Sequence, residues 1–220
     1  MVKKKHPRGQ RGLVEADLVA AALAEIERGG LETFSLRSLA RAINCDAATL
    51  IYRFGSKEGL ERAVTERLHS AITPPVRTRK WQDRITNMAR QYRDLAKRYP
   101  SAFPLLLRFW TSGPRDLIIA EHWNRALADA GVPDRDIPAV SCATYAAVLG
   151  QCMGEIGGLI GLPNEAGVAE IAQHEELVLT KRLLPIFPKV DAKQVFDSAL
   201  ILQIAGLEAA YSPGAKSRKA

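Results

Sequence analysis

Apolar positions along the chain recur at helical rather than strand spacing, and one short stretch shows the pattern in its most compact form. In LRSLARAINCDAATLIYRFGSKEGL, residues 36–60, Leu36, Leu39, Ala40 and Ile43 fall at i, i+3, i+4 and i+7. After a short break, Ala47, Leu50, Ile51 and Phe54 repeat the spacing. Each segment therefore has a single apolar stripe of an amphipathic helix. Both are too short to be stable alone, so each must pack on something. Two short helices packed through facing stripes predict a helix-turn-helix whose second helix keeps a free outer face. That face carries Thr49, Tyr52 and Arg53.

The signals around the motif agree. A helix is predicted over about 14–28, with Val14, Leu18, Ala22 and Ile26 on one side and Gly29-Gly30 as its left-handed stop. Ser35 is the expected N-cap of the next helix, and Asp46 and Ser56 those of the following two. Asn44 tolerates the positive φ that the turn requires. Cys45 is expected in the small core. A helix with Leu60, Val64, Leu68 and Ile72 along one side runs to Thr73-Pro74-Pro75, where proline ends it.

Beyond residues 74–80, read as a boundary, the chain stays helical. Segments are predicted over about 81–99, 103–110, 115–130, 137–161, 165–184 and 191–211. No strand run and no repeat appears. The fold class is all-α, with nine or ten helices. A basic arm, 1–12, and a basic tail, 212–220, flank a head at 13–73 and a second domain at 80–211.

Charge sharpens this division. The chain of 220 residues has a net charge of +7. Residues 1–80 hold 15 Lys/Arg against 9 Asp/Glu, a net of +6, while the remaining residues net +1. The excess sits with the helix-turn-helix, where a polyanion is the natural partner. Cys45, Cys142 and Cys152 form no CxxC pair and leave an odd count, so neither a disulfide framework nor a zinc site is expected, and a cytoplasmic location fits. The basic N-terminus lacks a following apolar region, so a signal peptide is not expected. Residues 143–162 are long enough to span a bilayer, but Gln151, Glu155 and several glycines interrupt them; a buried helix of a core is the reading preferred, with no membrane partner.

These residues resemble the TetR family of bacterial transcriptional regulators. The likeness rests on a first helix ending GG-L, on Thr49-Leu50, on Phe54, and on Gly55-Ser56-Lys57-Glu58 opening the next helix. It covers about residues 12–66; the remainder is similar to the family's all-helical C-terminal domain by helix pattern and by its closing QIAGLEAAY. The resemblance implies a double-stranded DNA operator as partner, with Ser35, Arg37, Ala48, Thr49, Tyr52, Arg53 and Lys57 in the contacting positions. The chemistry agrees: Arg53 can bond a guanine edge twice, and Lys57 stands at a helix N-terminus, which attracts phosphate. One departure is Ile51, where the family usually has an aromatic residue that meets the DNA backbone.

The family also implies a homodimer and a small-molecule ligand. A pair of helices, 137–161 and 191–211, is the expected interface, with Gly150, Gly154, Gly157 and Gly158 allowing close approach and Phe196, Leu200, Ile204 and Leu207 as the apolar stripe. The same glycines could instead line a cavity. Candidate ligand-lining residues are Met88, Tyr92, Phe103, Leu106, Phe109, Trp110, Trp123, Tyr145 and Met153. No cofactor, metal or catalytic constellation is read from the chain: HExxH, GxSxG and a phosphate loop are all missing. The alternative is an architectural or partner-binding DNA protein that takes no small ligand.

Overall fold

The computed structural model describes residues 14–77, 80–109, 111–159 and 164–211. The basic arm, the basic tail and Trp110 lie outside the described residues. Among these residues there are ten α-helices and no strand: α1 Glu15–Gly29, α2 Leu36–Ala42, α3 Ala47–Phe54, α4 Lys57–His69, α5 Trp81–Arg98, α6 Pro114–Asp129, α7 Ile137–Ile156, α8 Glu165–Gln173, α9 Val178–Leu183 and α10 Ala192–Tyr211. Two 3₁₀ turns, Phe103–Leu107 and Phe187–Lys189, complete them. The predicted helix over 103–110 is thus a 3₁₀ turn, and the one over 165–184 is two short helices.

The chain divides into two compact units. One comprises the described parts of Met1–Pro75 together with Asp94–His122; the other comprises those of Val76–Arg93 and Trp123–Ala220. This division runs differently from a boundary at 74–80, because residues 94–122 group with the head. The reason is visible in polar contacts: the Glu27 carboxylate, on α1, accepts from the Ala102 N–H at 2.8 Å, and Arg62 of α4 donates to the Thr111 carbonyl. Contacts between residues so far apart in sequence leave no trace in periodicity.

In the first unit Leu18, Ala22 and Ile26 of α1 are buried with Phe34, Leu39, Leu50, Leu60, Val64 and Leu68. Each of these except Ala22 is a large apolar side chain worth about 1.5–3 kcal/mol when taken out of water. The stripes of α1, α2 and α4 therefore face inward largely as their spacing predicts. In α3 only Leu50 is buried; Ile51, expected in the stripe, is 50% exposed. A helix of two turns lying over the others can bury only its central row.

In the second unit α7 packs on α10. Thr144, Val148, Leu149 and Cys152 of α7 and Phe196, Leu200 and Leu207 of α10 are buried. Tyr145 meets Tyr92 edge-on, with ring centroids 5.3 Å apart, and Trp123 at 6.5 Å. Arg93 forms a two-point ion pair with Glu155, at 2.6 and 2.7 Å, and Arg84 pairs with Asp129. Helix α7 is long and apolar enough to cross a membrane by length and composition alone. It is not the buried core helix expected from the sequence. One side is buried, and Ala139, Ala143, Ala146, Ala147 and Gly150 lie exposed on the other.

Candidate nucleic-acid interface

The head is assembled by its caps. Ser35 accepts from the Ser38 N–H at 3.1 Å, and Ser38 Oγ in turn accepts from the Ser35 N–H, closing a reciprocal box at the start of α2. The turn passes through Asn44 at φ 51°, as expected of an asparagine. Asp46 then caps α3, its carboxylate accepting from the Ala48 N–H at 2.9 Å. Gly55, at φ 74°, terminates α3, and Ser56 caps α4 through the Gly59 N–H at 3.0 Å. Four signals read from the sequence thus fall where they were expected.

The spacing between α3 and α4 depends on a residue that the sequence reading passed over. A Cβ at Gly59 would collide with the carbonyl oxygen of Phe54 and lie 3.1 Å from its carbon. Only glycine lets the first turn of α4 come this close to the end of α3. The signal was present as a glycine inside a helical pattern, which usually has a packing reason.

On this frame α3 turns an open face outward. Ala48, Thr49, Tyr52 and Arg53 are all exposed, Tyr52 at 91%. Arg37 is exposed at the start of α2. Ser35 is half-buried; its hydroxyl accepts from the Ser38 N–H and donates to Ser38 Oγ at 3.2 Å, so a phosphate would compete with Ser38 Oγ for that proton. Lys57, at the first position of α4, is half-exposed; its ammonium lies 5.7 Å from the Phe34 ring centre and 3.5 Å from Glu61 Oε1. Cys45 is only half-buried, and Sγ contacts the Asp46 carbonyl at 3.6 Å. Partial burial and Asp46 hold its thiol above the ordinary range, the opposite of an activated nucleophile. Cys152 is buried in the second unit, and burial, helped by Glu155, pushes it up to about 12.

Family models match nearly all of this architecture: one for bacterial regulatory proteins of the TetR family over residues 18–64, another for the tetracycline repressor-like C-terminal domain over residues 73–211. The chain belongs to the TetR family. Members of this family are regulatory proteins rather than enzymes. An HTH-type transcriptional regulator of Saccharopolyspora erythraea is 26% identical over 153 residues, which span 69% of this chain and 65% of that relative, just under two thirds of its length. Among solved structures, a possible TetR family regulator from Streptomyces coelicolor A3(2) is similar with a TM-score of 0.75 at 24% identity, covering 88% of this chain and 98% of that one. The Streptomyces coelicolor protein ActR in complex with actinorhodin is similar with a TM-score of 0.76 at 18% identity, covering 91% and 99%. BioQ with its double-stranded DNA operator is similar with a TM-score of 0.67 at 22% identity, covering 90% and 99%. At these identities the likeness is one of fold.

The regulator's other predicted site residues are placed less uniformly. Of the ligand candidates, Phe103, Leu106 and Phe109 belong to the first unit, and Met88, Tyr92, Trp123, Tyr145 and Met153 to the second. Met88, Tyr92, Phe103, Leu106 and Trp123 are buried, while Phe109, Tyr145 and Met153 are half-buried. Tyr92, Trp123 and Tyr145 form one aromatic group.

The expected interface stripe of α10 needs correction. Phe196, Leu200 and Leu207 are buried inside the subunit, and Ile204 is half-buried. The open face of α10 instead carries Ile201 and Leu202, 67% and 73% exposed, with Ala205 and Ala209. Helix α10 is apolar on both sides, and periodicity cannot say which side its own chain covers. Gly157 and Gly158 are exposed and end α7 rather than continue it: the helix stops at Ile156, Gly157 caps it, and Gly158 has φ 76°. Gly150 is exposed and Gly154 half-buried.

Sequence reading also missed a buried polar cluster at the far end of α4. His69 Nδ1 lies 2.9 Å from Ser112 Oγ, and Nε2 lies 3.5 Å from Asp116. Ser112 donates to Glu66 at 3.3 Å, and Glu66 accepts from the Arg115 N–H at 2.7 Å. Burial holds the His69 pKa below its ordinary value of 6.5, against the opposing pull of Asp116 and Glu66. A neutral imidazole here ties α4 to the start of α6. No periodic signal marks such a pairing between distant residues.

Proposed function

We propose that the protein is a sequence-specific DNA-binding transcriptional repressor, cytoplasmic, acting as a homodimer on a pseudo-palindromic operator and released by a small, largely apolar ligand. The observation that carries the reading is the open face of α3: Ala48, Thr49, Tyr52 and Arg53 are exposed on a capped helix whose only buried residue is Leu50. Such a helix fits a major groove about 12 Å wide. Arg53 reads a base edge, Thr49 and Tyr52 meet phosphates or a thymine methyl, and Arg37 and Lys57 add phosphate contacts from the flanking helices. Ile51, exposed beside Leu50, makes no polar contact of its own, which leaves the backbone contact to Tyr52.

One helix reads one half-site, so an operator of two half-sites calls for two heads about 34–36 Å apart. The exposed apolar faces of α7 and α10 supply the contact between copies. That ActR is seen with actinorhodin, and BioQ with operator DNA, supports both halves of this reading by analogy of fold. A ligand can release DNA only by binding one arrangement of the heads better than the other. Selection of sites from a pool of random duplexes tests the proposal: two related half-sites in inverted order should be enriched. Enrichment of no sequence would leave a non-specific DNA protein in its place.

A further inference from the structure

Lys57 shares its countercharge. Glu61, one turn along α4, has a side chain only 3% exposed. One carboxylate oxygen faces the Lys57 ammonium at 3.5 Å; the other accepts from Arg108 Nη1 at 2.9 Å. Lys57 and Arg108 are half-exposed, and with Glu58, Glu61 and Phe109 they line a cleft of about 450 Å³. Arg108 directly follows the 3₁₀ turn Phe103–Leu107, which packs on α4.

A carboxylate this deeply buried must be compensated by a nearby cation. Two cations are available, and Arg108 has the shorter contact and a geometry suited to carboxylate. While Arg108 holds Glu61 at 2.9 Å, Lys57 keeps only the longer 3.5 Å contact and can turn most of its charge to a phosphate. Without Arg108, Glu61 has only Lys57 left. A lysine held as the only counterion of a buried carboxylate has less charge to give a phosphate and releases fewer counterions from DNA.

From this we infer that the Glu61–Arg108 pair sets whether Lys57 is available to a DNA phosphate, making Arg108 a positioning residue that acts through Glu61 without touching DNA. The inference rests on the proposed reading of Lys57 as a phosphate contact. It also gives the 3₁₀ turn a direct means of altering DNA affinity: any shift that carries Arg108 off Glu61 leaves Lys57 as the sole counterion of Glu61. Phe103 and Leu106, candidate ligand-lining residues, stand in that same turn.

The test is fluorescence anisotropy across a salt series, using the full chain and a labelled duplex of about 30 bp from the region flanking the protein's own gene. Phosphate contacts form on any sequence, so the slope is informative even off the operator. Lys57→Ala should lower the slope of log K against log salt by about one. Arg108→Gln should lower it by a similar amount, and Glu61→Gln with Arg108→Gln should restore it. If Lys57→Ala leaves the slope unchanged, the reading of Lys57 fails and the inference with it. If Lys57→Ala lowers the slope but Arg108→Gln does not, the inference alone fails. If the double variant stays as low as Arg108→Gln, Arg108 touches phosphate itself and the positioning role is wrong. Should Arg108→Gln not fold, Glu61→Gln alone decides. Several-fold tighter binding with a slope at least as steep supports the inference, and weaker binding overturns it.

Discussion

Both the head and the α7–α10 pair leave a helical face uncovered by their own unit, and the two faces differ in kind. Helix α3 presents Thr49, Tyr52 and Arg53: hydroxyls and a guanidinium, with a surplus of positive charge in the surrounding sequence. Helices α7 and α10 present alanines, Gly150, Ile201 and Leu202. Water tolerates the first face and penalises the second. An exposed polar row with basic residues is suited to a wet, charged partner such as DNA. An exposed apolar row of small residues is suited to a dry, closely packed one, such as a second copy of the same helices. The chemistry of an uncovered row thus says which kind of partner it suits.

The largest effect is expected at the support of the polar face. Gly59→Ala drives a methyl group into the Phe54 carbonyl, so the end of α3 must move or α4 must start later. A loss of about 3 kcal/mol or more is expected in urea unfolding, within the range of severe core disruptions, together with loss of DNA binding. Gly150 is the contrasting control, because a Cβ there meets nothing within 4 Å of its own chain. A wild-type unfolding midpoint in Gly59→Ala would show that the close approach is not required.

Next in size is the apolar face. Ile201→Asp places a charge on a row that the single chain leaves 67% exposed. The monomer itself should lose no more than about 0.5 kcal/mol, as for most surface substitutions. If two copies meet there, burying the unpaired carboxylate costs several kcal/mol, and sedimentation should show monomers. A variant that still sediments as a dimer would move the interface elsewhere.

Arg53→Ala addresses the polar face directly. It should cost about 1–3 kcal/mol of operator binding and relax preference at one base pair. An equal loss on every duplex would make Arg53 a phosphate contact and leave base reading to its neighbours.

The smallest effect expected is a pH dependence in the first unit. The folded pKa of His69 lies below its ordinary value of 6.5, so the unfolded chain binds the proton more readily. The stabilisation from neutral His69 is complete above about pH 6.5 and declines as pH falls through and below that value. Replacing His69 with Gln should flatten the difference in unfolding midpoint between pH 7.5 and pH 5.5. An unchanged difference would assign the pH response to the carboxylates.

Local features were legible in the sequence. Ser35, Asp46 and Ser56 announced their caps because capping is settled by residues two or three positions apart. Asn44 and Gly30 announced their turns for the same reason. The exposure of Tyr52 followed from its place opposite Leu50 on a short helix. What failed to show were choices between two equivalent faces and pairings between distant residues. Phe196 and Leu200 look no different in sequence from Ile201 and Leu202, yet the first two are core and the others open. Glu61 reads as one more charge on a helix, and only the fold brings Arg108 to it from 47 residues away. The ligand candidates were chosen by size and aromaticity, which buried core and binding pocket share.

On the proposed function, the open face of α3 reads DNA from a two-fold protein. The most direct measurement is a footprint on the region flanking the protein's own gene, made with the wild type and with Arg53→Ala at the same salt concentration. Protection of one segment with two-fold symmetry, lost or broadened in Arg53→Ala, is the result expected. Weak protection everywhere, fading with salt and identical in the two proteins, would contradict it.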